Sequence, residues 1–315
     1  MNGPSAPKRL LPDFRTKIIN PVLDKEFTLR MRTPRSMWAL LFYLAAIGVL
    51  TFGLLSIFRF DYGLGVSVFE PSRSRTLFLF ISVAQLGLIA FMTPGLTAGV
   101  ISGERERQTL NLLLVTQQSS TGIILSKLIA SLAFMTLLVI STLPVFSIVF
   151  LYGGISPGQV ATVFAFYLFT MLAFGSFGVL FSTLVKRTML SVIASYGLTV
   201  FAYGGTAFLY LVLVLLVENL SSGQANPPAY YGWPGFLLGL NPAAALVSIF
   251  EPDLSDRVFR VGVNGYQIGV PIRLWQEYFI VYGVLAVIAV VLSIRHVRPL
   301  PRKKRSKAAA KHKSG

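Results

Sequence analysis

Six apolar runs, each long enough to cross a lipid bilayer as a helix, limit the folds open to this chain more than any other feature of its sequence. One crossing needs about 20 apolar residues in helical form. Charged residues make up only 13% of the chain, about half their share in soluble domains. Because lipid offers no partner to open backbone, the sequence predicts an all-α integral membrane protein with six transmembrane helices between residues 38 and 294. The runs are residues 38–58, 77–100, 128–152, 160–185, 188–217 and 275–294.

The positive charge of the chain is concentrated on one side of these predicted crossings. The net charge is +16, and 22 of the 28 Lys and Arg residues fall on the side that would hold both termini. Loops on the cytoplasmic side of a membrane carry such an excess. We therefore predict a multi-pass protein of the inner (cytoplasmic) membrane with both termini in the cytoplasm, including the basic tail 295–315. Nucleic-acid binding is not needed to explain the charge.

An amphipathic pattern precedes the first apolar run. Residues 1–18 are rich in Pro and basic residues and are predicted to be mobile. Over residues 19–35, apolar side chains including Phe27 recur at helical spacing, which predicts a helix on the cytoplasmic membrane surface. Glu26 and Arg30 interrupt its apolar face at a spacing that favours pairing. Either they form a pair at the edge of that face, or the helix packs on protein and both charges meet a partner.

The longest polar interruption between the early runs is residues 102–127, which the charge distribution places in the cytoplasm. Ser102 is a favourable helix cap, acidic residues follow it in the first turn, and leucines at helical spacing form one face. We therefore predict an amphipathic helix of about three turns from Ser102, followed by a break and the third crossing. An ordinary helix resting on lipid headgroups is the alternative. The pattern rests on Glu104, Glu106, Leu110, Leu113 and Leu114.

Polar and small residues within the crossings indicate how the helices pack. We expect Gln85 to form a hydrogen bond with a neighbouring helix, and contact with a substrate is the alternative. Pro144 is a predicted kink in the third crossing. Small residues that favour close helix packing form one face of the fourth crossing. They are Gly175, Ser176, Gly178 and Ser182.

Residues 218–273 form the largest segment on the predicted external side. Their apolar stretch 235–250 is too short for a full crossing. Asn241 followed by Pro242 predicts the start of a short helix within that stretch. We therefore expect one or more interfacial or re-entrant helices before the last crossing, followed by a polar loop at 251–260.

Several kinds of chemistry lack their sequence signals. The chain has no cysteine, no GxxxxGK[ST] phosphate-binding loop, and no His, Asp or Glu cluster with metal-ligand spacing. We therefore assign it no catalytic residue, metal site or cofactor. Ion-coupled carriers use buried ionisable residues in their pathways, and the crossings contain few. The residues therefore favour a helical bundle that has large cytoplasmic elements and contains no energy source of its own.

Three segments resemble the type-2 permease family of ATP-binding-cassette (ABC-2) exporters. They are NPVLDKEF at 20–27, ISGERERQTLNLLLVT at 101–116 and ILSK at 124–127. The resemblance implies that helix 19–35 is a connector, with Glu26, Phe27 and Arg30 on it. It also implies a coupling helix in the segment 102–127, seated on a separate ATPase subunit. The implied coupling-region residues are Gly103, Glu104, Arg105, Glu106, Arg107, Thr109, Leu110, Leu113 and Leu114.

The resemblance implies a complex of two permease chains, copies or paralogues, with two ATPase subunits that hold ATP and Mg. The expected function is export by alternating access, driven by ATP hydrolysis on those subunits. An ATPase-independent channel or ion-coupled carrier is one alternative, and a membrane assembly or anchoring protein is another. No substrate residue follows from the resemblance, and Gln85 is the single candidate from the sequence.

Overall fold

The fold was analysed in a computed structural model that describes residues 34–60, 71–109, 120–151, 154–222, 233–259 and 272–297. Within these ranges the chain consists of helices joined by turns, so the all-α prediction is confirmed. The predicted connector helix with Glu26, Phe27 and Arg30 lies outside the described residues. So do Leu110, Leu113 and Leu114 of the coupling region, and most of the basic tail.

Six helical segments in the described part of the chain are long and apolar enough to cross a membrane, as predicted. We number them as spans in chain order, and spans 2, 3 and 5 each consist of more than one helix. Span 1 is Pro34–Phe60; span 2 is Pro71–Thr97, followed by the short helix Ser102–Glu106; span 3 is Ser120–Ser141 with Leu143–Leu151; span 4 is Pro157–Leu184; span 5 is Thr188–Val200, Phe201–Gly205 and Thr206–Ser222; span 6 is Leu274–Val297.

In addition to the break in span 2 after Thr97, spans 3 and 5 depart from regular α-helix. Span 3 is interrupted at Thr142, two residues before Pro144. The proline has no backbone N–H and its ring crowds the preceding turn, so an interruption is expected near it. Span 5 widens to a π-helix over Phe201–Gly205. Such π-turns are rare and occur mostly as single turns inside α-helices, often at functional sites.

Span 4 forms the centre of the bundle. Of its most apolar window, 67% is buried, against 17% for the corresponding windows of spans 1 and 5. Its predicted small-residue face is buried against spans 2 and 3, where small side chains let the helices approach closely. Gly175 lies against Leu132 and Thr97, and Gly178 lies directly against Thr97. Aromatic rings of spans 4 and 6 stack beside this face, as in Phe166 on Tyr278, with ring centres 5.1 Å apart.

Gly178→Ala is expected to destabilise the bundle. A Cβ at this position would overlap Oγ1 of Thr97 and lie 3.3 Å from the backbone nitrogen of Ala98. Overpacking of this kind costs about 1–3 kcal/mol of unfolding free energy. Denaturant unfolding in detergent measures the loss. Gly197→Ala is the matched control, because nothing lies within 4 Å of the added carbon, and equal stability of the two variants would contradict the prediction.

Three short helices precede span 6, and we call them the cap: Trp233–Gly239, Pro242–Phe250 and Pro252–Phe259. The first two meet at an angle of 97°. Gly235 near the start of the first helix touches Phe259 at the end of the third, so the first and third helices pack against each other. A bend of this size fits either a re-entrant loop or a broken span; we call the two helices the re-entrant pair, after the expectation from the sequence.

The prediction of a polar loop at 251–260 was wrong. Residues Pro252–Phe259 form a helix. Pro252 suits its first turn, and Asp253 in the same turn suits the positive end of the helix dipole. The buried side chains of Val258 and Phe259 pack with Leu274 at the start of span 6. The segment is polar on average, but burial of these two apolar residues against span 6 favours the helix.

Candidate functional site

The ends of spans 2, 3, 4 and 5 meet around residues 101–109, and we call this meeting point the junction. Helix Ser102–Glu106 has only five residues, and Arg107 is its C-cap. Gln108 follows with φ of 63°, in the left-handed region, and the backbone N–H of Thr109 donates to the carbonyl oxygen of Glu104 at 3.0 Å. The prediction of a three-turn helix starting at Ser102 was therefore wrong, because the helix ends at Glu106 and Gln108 takes the left-handed conformation.

Ser102 does not cap a helix as predicted. The residue before the helix is Ile101, and it makes no side-chain cap bond. Ser102 is instead fully buried at the contact with span 4. The hydroxyl oxygen of Ser182 accepts hydrogen bonds from the backbone N–H groups of Ile101, at 2.8 Å, and of Ser102, at 2.9 Å. One serine on span 4 thus holds the start of the short helix.

An ion pair joins the short helix to span 3. Nζ of Lys127 contacts Oε1 of Glu104, and the two side chains are 3% and 21% exposed. A buried ammonium group needs such a partner, because moving an unpaired charge out of water is costly. The second carboxylate oxygen, Oε2 of Glu104, is buried without a hydrogen-bond partner among the described residues. Glu104 is therefore directed into its own chain.

Two neighbouring residues join the short helix to spans 4 and 5. Nη2 of Arg105 donates to the carbonyl oxygen of Thr183, near the end of span 4, at 3.2 Å. The carboxylate of Glu106 accepts from both the backbone N–H of Thr188, at 2.7 Å, and its hydroxyl, at 2.8 Å. Thr188 is the first residue of span 5, and an anion is favourable at that end of a helix.

The candidate coupling residues thus differ in their surroundings. Gly103, Glu104 and Arg105 are half-buried and face the bundle, and Glu106 is exposed but bonded to Thr188. Arg107 and Thr109 are exposed at the outer end of the turn. The structure therefore brings the first four residues together with spans 3, 4 and 5, and leaves the last two on the surface of the described junction.

Gln85 lies inside the bundle, fully buried. Its Nε2 donates to Oγ1 of Thr142 on span 3 at 2.9 Å. That hydroxyl lies at the point where span 3 is interrupted. The predicted bond between helices is therefore confirmed, and Gln85 is enclosed by its own protomer in this conformation.

At the opposite end of the bundle, the turn of the re-entrant pair is held by spans 5 and 6. Oδ1 of Asn241 accepts from the backbone N–H groups of Ala243 and Ala244, as an N-cap does. Its Nδ2 donates to the carbonyl oxygen of Tyr203 in the π-helix, at 2.6 Å, and to Oγ1 of Thr206, at 3.0 Å.

Two residues of span 6 complete this attachment. The hydroxyl of Tyr282 donates to the carbonyl oxygen of Leu240 at 3.0 Å. The carboxylate of Glu277 lies against Gly239, where any added Cβ would overlap it. At the rim of the cap, Nη2 of Arg75 from span 2 donates to the carbonyl oxygen of Phe250. The re-entrant pair is therefore attached to spans 2, 5 and 6.

Comparison with known proteins identifies the family to which this architecture belongs. A family model described as ABC-2 family transporter protein matches residues 22–295. The chain belongs to the ABC-2 transporter family. No curated protein matches it. The match includes spans 1 to 5, the junction, the cap and all but the last two residues of span 6, so this ABC-2 chain is a membrane permease of ABC transporters.

Sequence reasoning missed most partners of the candidate residues. Lys127 was noted only as the end of the ILSK segment, and Ser182 only as a small residue on span 4. Thr188 was treated as the plain start of a crossing. A charged residue at the edge of an apolar run is costly to bury unpaired, so Lys127 carried a signal for an acidic partner. The sequence offered no comparable signal for Thr188.

Proposed function

We propose that this ABC-2 permease is the membrane-spanning subunit of an exporter that moves its substrate across the cytoplasmic membrane. ATP hydrolysis takes place on a separate ATPase subunit, which holds the ATP and Mg, and drives alternating access of the permease. Two permease chains, copies or paralogues, form the pathway between them. Both termini and the junction lie in the cytoplasm, as the excess of Lys and Arg on that side favours.

This proposal rests on the contacts that the junction makes with the rest of the bundle. A turn that only connects two helices needs few contacts with the rest of a bundle. Here three successive residues, Glu104, Arg105 and Glu106, bond to spans 3, 4 and 5 respectively. Force applied to the turn is therefore delivered to three helices at once. A permease that depends on another chain for energy requires such a connection.

The same geometry divides the coupling region into two parts. Glu104 and Glu106 are engaged within the chain, so we assign them to holding the turn on the bundle. Arg107 and Thr109 are exposed beyond it, and the segment that follows supplies Leu110, Leu113 and Leu114. We assign the ATPase contact to these five residues, which all follow Glu106 in the chain.

Co-purification tests the proposed function. The tagged chain, solubilised in mild detergent, is expected to retain a phosphate-loop ATPase. Arg107→Glu reverses the charge of an exposed junction residue and is expected to lower the retained ATPase at least about tenfold, the effect of losing about 1.4 kcal/mol of binding free energy. Quantitative mass spectrometry of the eluate measures the ratio of ATPase to permease.

Arg295→Glu is the matched control for that experiment. Arg295 is exposed near the end of span 6, so the variant makes the same charge change at a site to which we assign no contact. It should retain the ATPase at the wild-type ratio. If the wild-type chain retains no ATPase, or transports its substrate when reconstituted alone, the proposed function is wrong. If both variants retain it equally, the contact assignment is wrong.

A further inference from the structure

The N-terminus of span 5 takes its cap from another span. The residue at its N-cap position is Arg187, which makes no side-chain cap bond. The first N–H groups of a helix have no partner within it. The N–H of Thr188 is satisfied instead by the carboxylate of Glu106, which also binds the Thr188 hydroxyl. Hydrogen bonds to an ionised group are stronger than neutral ones, and Glu106 makes two of them to one residue, so it joins the junction to span 5 although its carboxylate is exposed.

Close packing continues along the first half of span 5. A Cβ added at Gly99 would lie 3.2 Å from Cγ2 of Thr188, and one at Gly95 would lie 3.1 Å from the hydroxyl oxygen of Tyr196. The hydroxyl of Ser191 donates to the carbonyl oxygen of Ala98 at 2.7 Å. Span 5 therefore lies directly on the end of span 2, where glycines leave room for its side chains.

Span 5 is also the span that reaches from the junction to the cap. Only 17% of its most apolar window is buried, so most of its surface faces away from the other spans of the protomer. Its π-helix accepts the hydrogen bond from Asn241 at the turn of the re-entrant pair. Span 5 therefore contacts the junction at its first residue, Thr188, and contacts the turn of the re-entrant pair at Tyr203.

We infer that Glu106 is a positioning residue for coupling. It holds the start of span 5 to the junction, so that displacement of the junction moves span 5, and it does so without touching the ATPase. This inference rests on the proposed function. It assigns Glu106 a different role from Arg107, which is its neighbour in sequence.

The double variant Glu106→Ala with Arg187→Ser separates this role from helix capping. Serine is a favourable N-cap residue, so the second change restores a cap to span 5 without restoring the connection to the junction. The chain has no cysteine, so one introduced cysteine carries a single spin label. Val200 on span 5 and Val49 on span 1 are suitable sites, because they are 68% and 73% exposed.

The experiment compares label spectra in the reconstituted permease–ATPase complex, before and after addition of ATP with vanadate. In the otherwise wild-type complex we expect the label at position 200 to respond. In the double variant we expect the ATPase to be retained, the nucleotide-free spectra at both sites to be unchanged, and the response at position 200 to be lost. Thr188→Val, which removes only the hydroxyl bond, should give an intermediate response.

Three results would overturn the inference while leaving the proposed function intact. The first is a double variant whose label at position 200 responds like that of the parent. The second is a double variant that loses the ATPase, which would make Glu106 a contact residue. The third is an otherwise wild-type complex whose label at position 200 does not respond. Failure of the wild-type chain to bind any ATPase is a different result, and it contradicts the proposed function itself.

Discussion

Lys127→Met is expected to destabilise the permease by about 3–5 kcal/mol, the usual cost of removing one partner from a buried ion pair. The variant keeps an unbranched side chain, one atom shorter, but leaves the carboxylate of Glu104 without its cation at a site where it is only 21% exposed. Removing one partner from a buried pair leaves the other charge uncompensated, and that is the origin of the cost. Denaturant unfolding of the detergent-solubilised chain measures the loss of unfolding free energy.

Two further variants test whether loss of the ion pair causes the lower stability of Lys127→Met. Lys127→Met combined with Glu104→Met removes both charges, and replacing a buried pair by apolar residues is often neutral or stabilising. The double variant should therefore recover most of the lost stability. Lys186→Met, an exposed lysine at the same end of the bundle, should change stability by less than about 0.5 kcal/mol. A double variant no more stable than the single one would contradict the ion-pair account.

Asn241→Ala is expected to release the re-entrant pair and to cost about 2–4 kcal/mol, the sum of a lost N-cap and a buried acceptor left unpaired. The amide of Asn241 serves two purposes, because its oxygen caps Pro242–Phe250 and its nitrogen donates to Tyr203 and Thr206 of span 5. Hydrogen exchange of the backbone amides in the cap should become faster, and denaturant unfolding should show the loss of stability.

Asn241→Ser separates the two purposes. A serine hydroxyl caps a helix well but is too short to replace the amide bond to the carbonyl oxygen of Tyr203. This variant should keep amide protection within the first turn of Pro242–Phe250. It should still lose about 1–3 kcal/mol for the unpaired acceptor in span 5. If Asn241→Ser is as stable as the wild type, the attachment to span 5 contributes nothing to the free energy of unfolding.

The structure changes the interpretation of the segment 102–127 more than that of any other part of the chain. Its acidic residues were assigned from the family resemblance to an ATPase contact. Within the described residues, Glu104 and Glu106 bond to Lys127 and Thr188 of the same chain. Sequence spacing along a helix shows which residues share a face, but it does not show whether that face meets a partner protein or another part of the same chain.

The cap also shows that sequence spacing does not reveal distant partners. Asn241 and Pro242 predicted the start of a short helix, because capping depends on neighbours in sequence. The partner of the asparagine nitrogen lies 38 residues away along the chain, in the π-helix of span 5. The helix Pro252–Phe259 was likewise missed, because its formation depends on burial of Phe259 and Val258 against Leu274.

The sequence by itself determined the properties that depend on composition and local spacing. Lengths of apolar runs set six spans, the small-residue face placed the close packing on span 4, and the family resemblance was carried by contiguous motifs. Only the tertiary structure decided which charged and polar side chains pair, because those partners are tens of residues apart. The left-handed turn at Gln108 and the ion pair between Glu104 and Lys127 depend on four spans meeting at the junction, and no local pattern in the chain encodes that meeting.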